Sequence, residues 1–433
     1  MKNILLIVSC FCLITTFMSC EDYQATSFEQ VNQGFLTYSS GFGQTEGVKI
    51  SSYGDDEGYI LLGNTDSGND ENYFLVKTDI KGNIIWAKSY GDLRVDNDAQ
   101  DLLVEDNLIY ILGDQYQDSL ERIIPFATAF DLESGQRISD FNINLADSID
   151  NLLIYEEKSA GFLLFNDIKK KVIASTALNI DGFNTGNVYL IDEGNGIEMV
   201  IKVDIDDPNT KFNLDINGIK RVGTTNSFLL VGTASAPSIG YTGFLVVQYK
   251  IDEVNGGLVV EGIWDYGPGY ETKVEDFLII SADLIMVLNR AGNTLWGDVL
   301  QLPQGGQQAQ GLESLAFGDN MSLGKSATAS TIDENTFIIT TVKNNNGLII
   351  EKIALGNDGF TREWGDDIWT EHQSFNNLSN HDQNTQIRNN IGNAVLRRDG
   401  GYTIIGTHDF LDVTKMVMMQ VDADGYYIED DIQ

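Results

Sequence analysis

The sequence predicts an all-β fold, a ring of seven four-stranded antiparallel blades, from three observations. A short apolar strand bounded by turn residues returns seven times, a second apolar run follows each copy, and a turn then leads to a segment that often ends on an aromatic residue and glycine. Composition agrees: 43 glycines against 5 prolines among 433 residues suit many tight turns between short strands.

The repeated strand reads GYILLG (58–63), LIYILG (108–113), GFLLFN (161–166), SFLLVG (227–232), LIMVLN (284–289), FIITTV (337–342) and GYTIIG (401–406). Aligned on Gly63, Gly113, Asn166, Gly232, Asn289, Thr341 and Gly406, the copies lie 50, 53, 66, 57, 52 and 65 residues apart, room for about four strands each. The second runs are YFLVKTD (73–79), FATAFD (126–131), KVIASTALNID (171–181), GFLVVQYKID (243–252), TLWGDVLQL (294–302), LIIEKIAL (348–355) and MVMMQVD (416–422). Turns such as Asp79-Ile80-Lys81-Gly82-Asn83 and Asp131-Leu132-Glu133-Ser134-Gly135 follow, with glycine supplying the positive φ of a hairpin. Fourth strands end at Tyr90-Gly91, Tyr266-Gly267, Phe317-Gly318 and Trp364-Gly365. Four strands per unit and seven units make a β-propeller.

Near the N-terminus, residues 34–44 end in Phe42-Gly43 with no first three strands before them. They are expected to complete the last blade and close the ring, in competition with Tyr426-Tyr427-Ile428. The domains expected are a signal peptide (1–19), a lipidated tether (20–33) and the propeller (34–433).

The segment 58–92 resembles the repeat of propeller lipoproteins and secreted propellers common in Bacteroidota, which reads roughly G-Y-I-I-x-G, K-T-D-x-x-G-N and W-x-K-x-Y-G-G. The other six units keep the hydrophobic and turn pattern without the letters, so the resemblance implies the fold more than an activity.

Lys2, the apolar run Ile4–Met18 and the end Phe17-Met18-Ser19-Cys20 form a secretory signal that resembles a bacterial lipobox. Cys20 is then the lipid attachment site and the first mature residue. Cys10, Cys12 and Cys20 are the only cysteines, so the mature chain is expected to have no disulfide, thiolate metal site or cysteine nucleophile. Glu21-Asp22 resembles the acidic export signal of surface lipoproteins, which places the protein on the outer face of the outer membrane.

The formal net charge of −37 repels polyanions and argues against nucleic acid as a partner. Asp422-Ala423-Asp424-Gly425 and Asp204-Ile205-Asp206-Asp207 have alternating carboxylates but lack the remaining ligands of a calcium loop, and are read as turns. Asn289–Trp296 resembles the Asp-box turn of sialidase-type propellers, with Ala291 where the aspartate belongs; Ala129–Gly135 resembles one quinoprotein-type repeat. Both read as hairpin chemistry. His408 is expected just after a core strand. Trp86, Trp264 and Trp364 occupy fourth-strand positions and are expected to pack. His372 and His381 lie nine residues apart in the insertion 366–390, at no zinc spacing, and Trp369 lies off register beside them. Trp369, His372 and His381 are the candidate binding residues, with Tyr266 and Tyr270 near loops. The polar stretch 303–312 is a second candidate contact.

No cofactor or metal and no catalytic activity are expected. The function expected is a non-enzymatic surface lipoprotein that binds a protein partner, as an accessory subunit of an outer-membrane transport, secretion or assembly complex. The alternative is a glycan-binding or glycan-active propeller of a polysaccharide-utilisation system.

Overall fold

The computed structural model describes residues 29–32, 36–39, 44–54, 57–66, 71–90, 97–117, 121–144, 154–203 apart from 180, 193 and 195, 212–267, 271–304, 308–318, 327–332, 335–343, 347–356, 359–367, 391–410 and 413–424. Two strands, β1 (Glu29–Asn32) and β2 (Leu36–Ser39), precede the first blade. Blade 1 holds β3 (Gln44–Tyr53), β4 (Gly58–Asp66), β5 (Glu71–Asp79) and β6 (Ile84–Tyr90). Blade 2 holds β7 (Asn97–Glu105), β8 (Leu108–Gln117), β9 (Arg122–Asp131) and β10 (Arg137–Asn144). Blade 3 holds β11 (Ile154–Phe165), β12 (Lys170–Asn179), β13 (Asn184–Asp192) and β14 (Ile197–Val203). Blade 4 holds β15 (Asn213–Arg221), β16 (Ser227–Ala236), β17 (Tyr241–Ile251) and β18 (Leu258–Tyr266). Blade 5 holds β19 (Lys273–Ser281), β20 (Leu284–Ala291), β21 (Thr294–Gln301) and β22 (Gln310–Gly318). Blade 6 holds β23 (Ala327–Thr331), β24 (Thr336–Lys343), β25 (Gly347–Gly356) and β26 (Gly359–Asp367). Blade 7 is made of β27 (Ile391–Leu396), β28 (Tyr402–Phe410) and β29 (Val413–Val421), followed by β2 and β1. The first strands touch in the order β3, β7, β11, β15, β19, β23, β27 and back to β3, so the sheets form a closed ring.

Closure comes from the N-terminal side. β2 pairs antiparallel with β29, with Leu36 opposite Met418 and Tyr38 opposite Met416, and is the fourth strand of blade 7. β1 adds a fifth strand from residues assigned to the tether on sequence alone. Tyr426–Ile428 lies outside the described residues.

The repeated apolar strand is buried on both faces, which is why it reads as a continuous hydrophobic run. In β4, Ile60 and Leu62 pack into a cluster shared with blade 2, and Tyr59 and Leu61 into one shared with blade 7. Further clusters join blades 2 and 3, 3 and 4, 4 and 5, and 5 and 6. Each fully buried Leu or Ile contributes about 1.5–3 kcal/mol, so the interfaces between blades hold the ring.

Blade 3 corrects the sequence alignment. GFLLFN (161–166) is not a second strand but the end of the inner strand β11 and the start of a turn, and β12, containing KVIASTALN, pairs with it as the second strand. Ser175, opposite Ser159, takes the place given to Asn166.

Outer strands carry bulges. Ile85, Glu198, Glu261 and Glu363 are extra residues relative to the neighbouring strand, as is Leu312 in β22. Such bulges twist an exposed edge away from pairing with other chains.

Candidate functional site

Inner strands bulge as well, at one level of the ring. Val48, Gln100, Ala160, Asn217 and Glu275 are the extra residues of β3, β7, β11, β15 and β19, and β27 has a similar shift between Ile391 and Ala394. β23 pairs without a shift. At each of five junctions, the amide just before the bulge is clasped by a side chain from the preceding blade. Gly47 N–H donates to Thr407 Oγ1 (2.9 Å), Ala99 N–H to Asn64 Oδ1 (2.9 Å), Ser159 N–H to Asp114 Oδ1 (2.7 Å), Ile216 N–H to Thr176 Oγ1 (2.8 Å) and Val274 N–H to Thr233 Oγ1 (2.9 Å). The acceptor always directly follows the aligned residue of the second strand. That aligned residue is glycine in blades 1 and 2 because the inner strand comes close: a Cβ on Gly63 would meet Glu46 O at 2.7 Å, and one on Gly113 would meet Asp98 O at 2.5 Å.

The inner strands enclose a central channel with a cavity of about 950 Å³. Two ion pairs cross blade boundaries on its wall. Lys49 Nζ pairs with Asp101 Oδ1, and Lys220 Nζ lies 3.0 Å from Asp276 Oδ1. Asp276 also accepts from Ala329 N–H (2.9 Å), and Lys220 donates to Phe277 O, so one pair joins blades 4, 5 and 6. Asn393 brackets Ile50 across the closing junction, accepting from its N–H (2.8 Å) and donating to its carbonyl (2.9 Å). At the fifth-to-sixth junction Arg290 replaces the clasping acceptor, and its Nε lies 3.4 Å from Glu275 Oε1. Among the described residues the channel lining contains Lys49, Lys220 and Lys273 but no arginine.

Buried acids surround this wall. Asp114 is pushed up to about 7, chiefly by burial, with Asp98 adding to it against the hydrogen bonds from Ser159. Glu157, fully buried in blade 3, accepts from Tyr189 Oη (2.7 Å) and Asn187 Nδ2 (2.9 Å) and from Ser175 Oγ. Burial and Glu157 raise the Tyr189 phenol well above its ordinary range.

Of the sequence candidates, Cys20, Trp369, His372, His381 and Tyr270 lie outside the described residues, as does Asp204–Asp207. His408 sits within β28 opposite Lys415 rather than after the strand. Trp264 is buried and donates from Nε1 to Pro303 O (2.8 Å), and Trp86 donates to Leu132 O (3.3 Å), each reaching the hairpin turn of the next blade. Tyr266 packs on Phe244 with ring centroids 5.8 Å apart. Gln310–Leu312 of the polar stretch belongs to β22, and Ala309 N–H donates to Asp265 O (3.2 Å). The acidic turns are Asx turns: Asp79 Oδ1 accepts from Lys81 and Asn83 N–H (2.9 and 2.8 Å), and Asp422 Oδ1 accepts from Asp424 N–H (3.0 Å). Among the described residues no three His, Cys, Asp or Glu side chains gather as a metal site. Sequence reading missed the channel wall, although an acceptor after the aligned residue, as in Gly63-Asn64, Gly113-Asp114, Gly232-Thr233 and Gly406-Thr407, was its visible signal.

No family model matches the chain, and no curated protein does. Solved structures similar to it include a Hadza microbial sialidase, Hz136, at 11% identity over 69% of this chain and 63% of that one, with a TM-score of 0.43. A Trypanosoma rangeli sialidase in complex with sialic acid is 10% identical over 92% of this chain and 57% of its own, with a TM-score of 0.45. A puromycin-hydrolyzing peptidase of Mycobacterium tuberculosis is 8% identical over 88% and 51%, with a TM-score of 0.49. The chain spans about half to three-fifths of the length of these proteins. They are enzymes; the likeness is one of fold.

Proposed function

We propose that this chain is a binding propeller, lipid-anchored through Cys20 at the outer face of the outer membrane, that captures a partner by admitting part of it into the central channel. In this reading it serves as an accessory subunit of an outer-membrane transport, secretion or assembly complex. The observation that carries a binding reading over a catalytic one is the engagement of the channel's charged and amide groups in holding strands together. Lys49 and Asp101, Lys220 and Asp276, and Asn393 each tie neighbouring blades, so this part of the wall is rigid and the two ion pairs compensate their own charges.

A second reading, a glycan-binding propeller, draws on the same wall. Amides and hydroxyls such as Asn217, Ser52 and Ser330 line the cavity and suit a hydroxyl-rich ligand, and its volume lies within the range of small-molecule sites.

The test is capture by the native lipoprotein in mild detergent, with mass spectrometry of what is retained. It runs beside Gln100→Trp, which narrows the channel from an exposed bulge position, and a variant with 369–385 replaced by a Gly-Ser linker. Gln100→Trp should lose the partner while keeping the fold. Equal recovery by that variant would place binding away from the channel, and loss only in the linker variant would place it on the insertion.

A further inference from the structure

The outer strand of blade 4 departs from those of the other blades. β18 exposes three large apolar side chains, Val259 (49%), Val260 (44%) and Ile263 (48%), and Val254 stands exposed in the hairpin turn before it. Among the described residues the other outer strands expose at most one each, as Ile85 in β6, Val200 in β14 and Leu312 in β22.

The strand register shows which way these side chains point. Val260, Ile263 and Asp265 lie opposite Tyr249, Val247 and Leu245, which belong to the cluster shared with blade 3. Residues directly opposite share a face of the sheet, and the bulge at Glu261 brings Val260 and Ile263, three positions apart, to the same one. Met199 and Ile201 of β14 and Leu258 of β18, all half-buried, pack on that cluster from the two sides. The cleft between the outer edges of blades 3 and 4 is therefore apolar on both walls. The walls meet at Gly257, where an added Cβ would lie 2.7 Å from Met199 Cε.

Of the β14 and β18 residues on this side, Asp265 alone is charged. Lys202 and Lys250 lie on the far faces of the two sheets, opposite Asn187 and Val259. The Asp265 carboxylate is exposed and makes no hydrogen bond or ion pair among the described residues. Its recorded neighbour is a neutral phenol: burial and the charge on Asp265 push Tyr241 up to about 12.

We propose that this cleft docks a segment of a partner protein that carries an apolar stripe ending on Lys or Arg, the stripe against Val260 and Ile263 and the cation on Asp265. The site lies on the circumference of the ring and does not depend on the channel reading. An exposed apolar face beside an unpaired carboxylate is complementary to such a segment. A second copy of this chain, with a formal net charge of −37, is not.

The test is fluorescence anisotropy of the full chain with three labelled peptides at physiological salt, made of three repeats of Leu-Lys-Lys-Leu, Ser-Lys-Lys-Ser or Leu-Glu-Glu-Leu. The first should bind at least about tenfold more tightly than either of the others. Ile263→Ser and Val260→Ser should each remove most of that preference and leave the Ser-Lys-Lys-Ser peptide unchanged. Both positions are exposed, so melting temperatures should not move; Asp265→Asn, which keeps the shape, should weaken the Leu-Lys-Lys-Leu peptide about threefold. Equal binding of the two basic peptides, or binding by Ile263→Ser and Val260→Ser as tight as the parent's, overturns the proposal. Loss of the Leu-Lys-Lys-Leu peptide in Gln100→Trp but not in Ile263→Ser would move it to the channel. A doubled mass in sedimentation that Ile263→Ser abolishes would assign the cleft to a second copy, and flotation with phosphatidylcholine vesicles that Ile263→Ser abolishes would assign it to a lipid surface; either overturns the protein segment.

Discussion

The Tyr38 hydroxyl, on the strand that closes the ring, donates to the Gly82 carbonyl of blade 1 at 2.7 Å. Tyr90 of blade 1 makes the same bond to Gly135 O in the corresponding turn of blade 2. Closure thus repeats an ordinary blade junction, with Tyr38 fully buried and its phenol raised above the ordinary range by burial and by Asp79.

Deleting residues 29–39 should therefore open the ring. The loss removes β2 from the edge of β29 and empties a buried tyrosine site, a cost of several kcal/mol. Tyr38→Phe should cost about 1 kcal/mol through the lost hydrogen bond alone. Chemical denaturation of the two variants measures both, and a deletion variant as stable as the parent would refute closure by β2.

Asp114 gives a pH dependence with a defined sign. Its folded pKa, about 7, lies above the 3.8 of an unperturbed aspartate, so between those values the folded state binds the extra proton. Its contribution to stability is fully present below about pH 4 and is lost as pH rises through about 7. Asp114→Asn keeps an oxygen for the Ser159 amide, as Asn64 already does at the equivalent junction. The variant should be more stable than the parent at pH 8, keep only part of that advantage at pH 5 and lose it below about pH 4, read from melting temperatures from pH 4 to 8.

Asp276→Ala removes the partner of Lys220 and the acceptor of the Ala329 amide together. A destabilisation of about 2–4 kcal/mol is expected, because two partly buried groups lose their bonds at once. Asp276→Asn should recover part of it by restoring the acceptor. Equal loss in both would assign the effect to the charge alone.

The proposed lipid anchor has its own test. Cys20→Ala should leave an unacylated product absent from the membrane fraction, since an acyl chain contributes about 0.8 kcal/mol per buried CH₂. Protease added to intact cells should cut the parent protein if it faces outward.

Seven units were legible in the sequence because second strands are buried on both faces and therefore read as apolar runs; the closing strand was legible only as a competition between residues 34–44 and Tyr426–Ile428, and pairing along β29 shows Leu36–Ser39 as the fourth strand of blade 7. The third unit was misaligned for a physical reason: β11 is twelve residues long, and its Gly161–Phe165 end packs against blades on both sides, so an inner strand imitates a second strand. The clasps escaped notice because Asn64, Asp114, Thr176, Thr233 and Thr407 share an acceptor oxygen, not a letter.

Local pattern by itself determined that strands form, where they turn and that they repeat, since alternation and turn chemistry act over a few residues. Only the closed ring decided which charges meet. Lys220 and Asp276 lie 56 positions apart in the chain, as 276 − 220, yet 3.0 Å apart in space. Their pairing depends on the bulges and on the angle between blades, which are properties of the assembled ring rather than of any one repeat.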